Sequence, residues 1–258
     1  MLQSTAKLIV DNGVGRFPGL DQRRGFNCAF STLTAGNMSA NWGPRSEAEE
    51  NARQFYQRAG LSQEDRVHLH PEHGTSIFRV GEKDKGQVIR GDGLITTVPG
   101  LTLSLYSADC LPIVITQTSQ QPEFVALVHA SWRGTNQRIL GRAIRFIGKV
   151  FGPKPKQLLV LIGPGIHSCC YHDSTLASYL LEKPTWGPFI RGNSIDLIGY
   201  NFQQAVEAGA QRQNLVVANE CTACARSRQG GDYLFFSHHR SGITREEEGR
   251  FAAAVALL

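Results

Sequence analysis

The chain has 258 residues with a formal charge of +5, 41% apolar and 19% charged, which is ordinary for a soluble globular protein able to bury a full core. Its arginines are scattered rather than gathered in one tract, which argues against a nucleic-acid surface and leaves a mild preference for small anions such as phosphate. No apolar run reaches membrane-spanning length, since even residues 101–115 are broken by Ser107, Asp109 and Pro112, and only a short apolar stretch precedes Asp11; neither a membrane partner nor a signal-peptide core is expected, and a cytoplasmic location with reduced cysteines is.

In chain order, β-rich runs are predicted over residues 26–32, 76–80, 94–98, 101–106, 113–117, 124–129 and 158–162. Gly/Pro punctuation separates them, as at Pro99-Gly100 and in residues 152–155. After the first run, Ser46-Glu47-Ala48-Glu49 reads as a capping box opening a helix that ends at Gly60. Residues 135–151 carry Ile139, Leu140, Ala143, Ile147, Val150 and Phe151 at three- and four-residue steps, which predicts an amphipathic helix. Residues 196–210 predict a third. The tail admits two readings: a helix opened by a Thr244/Glu247 capping box, or a final buried strand over residues 251–258. No repeat, long linker or low-complexity segment divides the chain, so one α/β domain over residues 1–258 with a mixed sheet or sheets is expected.

The chemistry concentrates in residues 101–134. One apolar strand runs into Ala108-Asp109-Cys110, and a second delivers His129 at its end. His73, in Glu72-His73-Gly74, is a third soft or borderline donor. One thiolate and two imidazoles suit a zinc ion with one position open, although sequence spacing does not join them. A buried cysteine with two hydrogen-bonded histidines accounts for the same residues. Arg133, read as standing just before the helix, suits a phosphate pocket or a surface ion pair. Cys221-Thr-Ala-Cys224 reads as a redox pair or as half of a zinc knuckle. Its natural partners, Cys169 and Cys170, are adjacent, and adjacent residues rarely chelate one tetrahedral ion. No strand-then-helix pattern supports a thioredoxin-type site, so these four are expected to be structural, buried and unbridged.

Four ordered segments together resemble a known family: Ala-Asp-Cys-Leu-Pro-Ile at 108–113, His-Ala-Ser-Trp-Arg-Gly-Thr at 129–135, Gly-Pro-Gly-Ile-His-Ser-Cys-Cys-Tyr at 163–171, and Cys-Thr-Ala-Cys at 221–224 followed by Phe-Phe-Ser at 235–237. They are similar to the laccase-domain family of multicopper polyphenol oxidoreductases, also called the YfiH family or purine nucleoside phosphorylases of that type. The resemblance covers about residues 26–250. It implies a single-domain α/β fold of layered mixed β-sheets flanked by helices, grouped with a toxin class that uses a Cys/His hydrolase pair. It also implies zinc on His73, Cys110 and His129. The implied activities are phosphorolysis of adenosine, inosine and methylthioadenosine, with nucleoside and phosphate as the small-molecule partners, and deamination of adenosine. Copper-dependent phenol oxidation and editing of peptidoglycan precursors are further activities attached to the family. Several family positions differ. Pro71-Glu72 stands where Gln-Val precedes the His-Gly pair, Leu33 replaces an arginine, and Ser237-His238-His239-Arg240 replaces Ser-Tyr-Arg-Arg. The segment 244–250 replaces Thr-Gly-Arg. The metal triad is kept while part of the substrate lining changes.

Deamination needs a carboxylate to shuttle protons, for which Asp92 and Asp109 are the candidates. Asp92 between two glycines also reads as a turn residue, and Asp109 as a group that orients Cys110. Phosphorolysis needs cations around phosphate, for which Arg133 and Arg240 are candidates, with Phe236 to stack on the purine and His238 to protonate it. Rival readings remain open. Cys110 with His129 as base gives a metal-free hydrolase of a peptidoglycan precursor or other amide. A non-catalytic zinc-stabilised binding protein and a copper-dependent polyphenol oxidase are the others. Copper is the weakest, because among eight histidines only His68-Leu69-His70 has a His-x-His spacing. No sequence signal specifies an oligomeric state.

Overall fold

Alternation in the central strands decides the layering. In β10 (Leu111–Gln117), Ile113 and Ile115 join one apolar cluster while Val114 joins another on the opposite face, as the two-residue period of a strand requires. The computed structural model describes residues 5–20, 25–227, 231–244 and 248–258. Within them a first sheet runs in the order β1 (Thr5–Ala6), β15 (Leu215–Ala218), β12 (Leu158–Ile162), β10, β11 (Val125–Ala130), β8 (Gly93–Thr96) and β6 (Ile77–Arg79). The second runs β2 (Ile9–Asp11), β3 (Val14–Arg16), β4 (Phe26–Ser31), β16 (Phe251–Leu257), β9 (Thr102–Ser107), β5 (Arg66–Pro71) and β7 (Val88–Gly91). Both are mixed: β10 pairs antiparallel with β11 and β12, while β12–β15 and β5–β9 are parallel. A short ribbon, β13 (Ile190–Arg191) with β14 (Ser194–Ile195), lies apart from both sheets.

The sheets pack face to face through Leu127, Leu161, Leu103, Leu105, Phe30 and Val255, all in one buried cluster. The far side of the first sheet is covered by α3 (Ile139–Phe151), α4 (Ser174–Leu181) and α5 (Leu197–Glu207), whose Ile139, Leu140, Ala143, Leu180 and Ile198 share a cluster with Ile113 and Val128. The far side of the second sheet takes α1 (Arg45–Ala59), which buries Ala52, Phe55, Tyr56 and Ala59 on Ala252, Ala254 and Ala256 of β16. Small alanines there let the helix approach closely. The result is a single-domain α/β fold of two large mixed sheets flanked by helices, in the order helix, sheet, sheet, helix. Truncating an inter-sheet side chain, as in Leu105→Ala, costs about 2–5 kcal/mol. Among the described residues no helix is long and apolar enough to cross a membrane.

Two sequence expectations are corrected and one open alternative is resolved. Helix α1 begins at Arg45 behind Pro44, so Ser46 lies inside it and is not its cap. The helix expected over 135–151 is two helices. α2 (Trp132–Asn136) is capped by Ser131, and the chain breaks at Arg138 (φ 65°) before α3. Side chains of α5 explain the break: Gln204 donates to the Thr135 carbonyl at 2.7 Å and Asn201 to the Thr135 hydroxyl at 2.8 Å, taking acceptors at the end of α2. The tail is the strand β16, central to its sheet between β4 and β9. Of the alternative capping box, Glu247 lies outside the described residues and Thr244 ends α6 (His238–Thr244). The third helix fits expectation closely, with Asp196 as its cap, its Oδ1 accepting from the Gly199 amide at 2.8 Å.

Candidate metal centre and cleft

Strand pairing fixes the centre. Pro112 of β10 lies opposite His129 of β11 and Leu111 opposite Ala130, so Cys110, entering β10, stands beside the end of β11. The Ser107 hydroxyl donates to the Cys110 carbonyl at 2.7 Å, and Asp109 adopts a positive φ of 79° to make the tight connection from β9. His73 follows β5, also at positive φ (61°). Gly134 allows its loop to come close: a Cβ on Gly134 would stand 2.9 Å from the Gly74 carbonyl oxygen, so any larger residue would push α2 off the His73–Gly74 turn. The rings of His73 and His129 meet edge to face with centroids 5.1 Å apart. The donor atoms of His73, Cys110 and His129 all lie within 4.8 Å of one another.

Asp92, fully buried between β7 and β8, supports this group from below. Its Oδ1 accepts from His129 Nδ1 at 3.1 Å, its Oδ2 accepts from the Gly74 amide at 2.7 Å, and its carbonyl accepts from the His129 amide at 2.9 Å. One carboxylate thus holds both histidine-bearing segments and leaves His129 Nε2 directed away from it. Burial opposes the Asp92 charge, yet the hydrogen bonds from His129 and Gly74 outweigh it and lower its pKa. Burial likewise opposes a Cys110 thiolate, but the imidazoles of His129 and His73 bring that thiol down to about 6. His129 responds in turn: burial disfavours its cation, while Cys110 and Asp92 raise it to about 9.

The donor set fits a zinc-class ion. It joins one soft thiolate to two imidazoles, and the second nitrogen of His129 is held by a carboxylate, as in most metal-bound histidines. His73 is exposed and Cys110 is partly buried, so one side of the group faces a cleft of about 530 Å³. That volume is in the range of small-molecule sites. Trp132, Tyr171, Ile166, Leu176 and Leu197 supply apolar lining and Asp109, Arg133, His238 and His239 polar lining, the two interleaved where Tyr171 meets His239 edge to face at 5.9 Å. Trp132, Tyr171 and His239 were not singled out in the sequence, although the first two stand inside the quoted motifs.

The remaining candidates divide. Arg133 lines the cleft from within α2, with its guanidinium 4.5 Å from the Trp132 ring. Asp109 lines it too, but both oxygens are engaged: Oδ1 accepts from the Thr222 hydroxyl at 2.6 Å and Oδ2 from the His239 amide at 2.7 Å. Arg240 does not face the cleft. It is buried and donates from Nη1 to the carbonyls of Thr222 (2.9 Å) and Ala223 (3.2 Å) and from Nη2 to that of Phe235 (2.9 Å), so it clamps two loops rather than receiving phosphate. Phe236 packs by Gly249 outside the cleft wall, whereas His238 lies on it and pairs with Glu248. The His68/His70 pair lies on β5; His68 packs on Tyr106 and hydrogen-bonds Ser104 at 3.0 Å.

Comparison with known proteins gives this arrangement a context. The model of the family described as multi-copper polyphenol oxidoreductase laccase matches residues 23–258. The purine nucleoside phosphorylase YlmD of Geobacillus stearothermophilus is 31% identical over 236 residues, covering 85% of this chain and 82% of the relative. The crystal structure of YlmD from the same organism superposes with a TM-score of 0.83 at 28% identity, over 98% of this chain and 99% of the other. An adenosine deaminase, RL5, from an unknown prokaryote is 29% identical over 160 residues, 59% of this chain and 58% of the relative.

Proposed function

The chain belongs to the multi-copper polyphenol oxidoreductase laccase family, and we propose that within it the protein is a zinc-dependent purine nucleoside enzyme that cleaves nucleosides with phosphate and deaminates adenosine. The observation that carries this reading is the convergence of His73, Cys110 and His129 beside a cleft lined by His73, Cys110, Trp132, Tyr171 and Arg133. Relatives named as a purine nucleoside phosphorylase and an adenosine deaminase support it.

His73, Cys110 and His129 would hold the ion, which supplies Lewis-acid chemistry when bound. Trp132 and Tyr171, both in the cleft lining, offer flat faces for a purine. Arg133 orients the phosphate that attacks C1′ while the glycosidic bond breaks. The base leaves with the bonding electrons and needs a proton, which His238 or His239 in the polar lining is placed to donate. Asp92 is a positioning residue, since it meets His129 and Gly74 beneath the centre and not the cleft. Asp109, with both oxygens engaged, holds the Cys110 turn against the loops that carry Thr222 and His239.

The deciding experiment incubates zinc-loaded protein with adenosine, inosine and methylthioadenosine, with and without phosphate. Phosphate-dependent release of free base is expected from all three, together with phosphate-independent conversion of adenosine to inosine. Absence of turnover on all three would sink the reading. One observation favours a second. Asp92, His129 and Cys110 form a carboxylate–imidazole–thiol series with the thiol brought down to about 6, as a metal-free cysteine hydrolase requires. Turnover of an amide that survives chelation and is abolished by alkylating Cys110 would select it.

A further inference from the structure

A second group of soft donors lies outside that centre and takes no part in its chemistry. Cys169 and Cys170 stand in the turn after Ile166, and Cys221 and Cys224 in the turn after β15. A bridge between Gly165 and Cys221 and a hydrogen bond from the Thr222 amide to the Gly165 carbonyl (2.9 Å) hold the two turns side by side. The expectation that all four thiols are buried is corrected, since only Cys221 is; Cys170 is partly buried, and Cys169 and Cys224 are exposed. All four are free thiols.

Their spacing is that of a coordination shell. The four sulfurs lie within 4.8 Å of one another, with Cys169 to Cys170 at 3.7 Å and Cys169 to Cys224 at 3.8 Å. A tetrahedral zinc ion with four bonds of about 2.3 Å separates its sulfurs by about 3.8 Å, because a tetrahedron's edge is about 1.6 times its centre-to-corner distance. Adjacent residues rarely chelate one ion, but here the backbone turns sharply at Cys169 and Cys170. The amides of Cys170 and Tyr171 both donate to the His167 carbonyl, at 3.0 and 2.9 Å, and the resulting tight turn brings the neighbouring side chains together. The His167 amide donates to Cys221 Sγ at 3.4 Å, which ties that sulfur to the turn that carries Cys169 and Cys170.

We propose that Cys169, Cys170, Cys221 and Cys224 form a second metal site, a closed four-thiolate shell for a zinc-class divalent cation. Four protein donors complete the tetrahedron and leave no position for substrate, so the site is structural. Binding breaks four S–H bonds and forms four metal–sulfur bonds; the protons go to solvent and the site carries two net negative charges. The ion cross-links the turn leading to Tyr171 and Asp173 of the cleft wall to the turn bearing Thr222, which bonds Asp109. It thereby fixes one wall of the cleft at a distance from the reacting atoms.

Metal content tests this with the full chain, reduced, loaded with zinc and desalted. A Cys169→Ser/Cys224→Ser variant changes only exposed residues, so its fold should survive, which circular dichroism checks. That variant is expected to hold one zinc fewer per chain than the wild type. Cys110→Ala is expected to keep the ion the double variant loses, and cobalt-loaded Cys110→Ala should show the intense sulfur-to-cobalt charge transfer of a four-thiolate site. A wild type with one zinc, kept by Cys110→Ala and lost by the double variant, would still support this site while removing the other. Equal zinc in the double variant and the wild type overturns the proposal. So does a cobalt-loaded Cys110→Ala spectrum without thiolate bands, or a disulfide among the four that persists in excess reductant.

Discussion

The two clusters of soft donors differ in what carries them. Cys110 enters β10 and His129 lies near the end of the paired strand β11, opposite Pro112, and a fully buried carboxylate fixes the imidazole. The four cysteines stand on two turns joined by one bridge and one amide contact. A core ladder and the Asp92 carboxylate hold Cys110, His129 and the His73 turn in place, so an ion there would be free to do chemistry with one side toward the cleft. Two turns at the surface lack that frame, and an ion between them serves to supply it. Placement in the fold thus separates a centre suited to reaction from one suited to cross-linking, although both draw on the same kinds of ligand.

The largest effect is expected from Cys110→Ala. The thiol supports the metal and not the core, so turnover of all three nucleosides is expected to fall to background while the thermal midpoint changes little. Steady-state rates and a melting curve on the same preparation check this. A loss of stability comparable to a core truncation would mean that the strand end depends on the centre for its fold. Next in size is Asp92→Asn. The amide keeps the shape but removes the charge that orients His129, and a loss of about 10–100-fold in zinc affinity is expected by chelator competition. An unchanged affinity would show that the β10–β11 ladder alone positions the imidazole.

How much of this was legible in the sequence follows the same division. The buried strands β10, β11 and β12 show as apolar runs because they are covered on both faces, while β9 shows by its alternating leucines and β4 by its aromatic and small residues. The edge strands β1, β2 and β7 are short and mostly exposed, so their composition carries no signal. The break at Arg138 depends on Gln204 and Asn201, more than sixty residues away, and no local pattern announces it. His73, Cys110 and His129 were readable by residue type, with the family resemblance joining them. Asp92 was read as a turn residue or a proton shuttle because nothing in Gly-Asp-Gly reveals what lies above it. The four cysteines were read apart because adjacency at 169–170 argues against chelation until the turn at His167 is known. Charge alone makes Arg240 a phosphate candidate, whereas the carbonyls of Thr222, Ala223 and Phe235 that it meets lie on loops that only the fold brings together.

A smaller effect is expected from Arg133→Ala. Its guanidinium stands in the cleft lining and is not part of the metal group, so a charge-assisted contact to phosphate is what the variant loses. About a tenfold fall in kcat/KM for phosphate is expected, with adenosine deamination within about twofold of wild type, because phosphate is no reactant there. Parallel assays on adenosine with phosphate varied separate the two activities. Equal losses in both would place Arg133 at the nucleoside and not at the anion.

The smallest effect concerns a histidine that serves neither cluster. His68 packs against Tyr106 with ring centroids 4.3 Å apart and hydrogen-bonds Ser104. Burial first, then the charges of Arg66 and His70, push its imidazole down to about 3. In the unfolded chain it titrates near about 6.5. Between those values the unfolded state binds the extra proton, so stability is full above about pH 6.5 and is lost progressively as pH falls toward 3. For one proton the slope is at most about 1.4 kcal/mol for each pH unit. His68→Gln keeps a hydrogen-bonding side chain and removes the titration. Denaturant midpoints measured from about pH 6.5 down to about pH 4.5 should therefore fall less steeply for the variant than for the wild type, while carboxylates shared by both cancel in the difference. Parallel slopes would mean that His68 admits its proton without unfolding, and that the packing between β5 and β9 is looser around it than around His129.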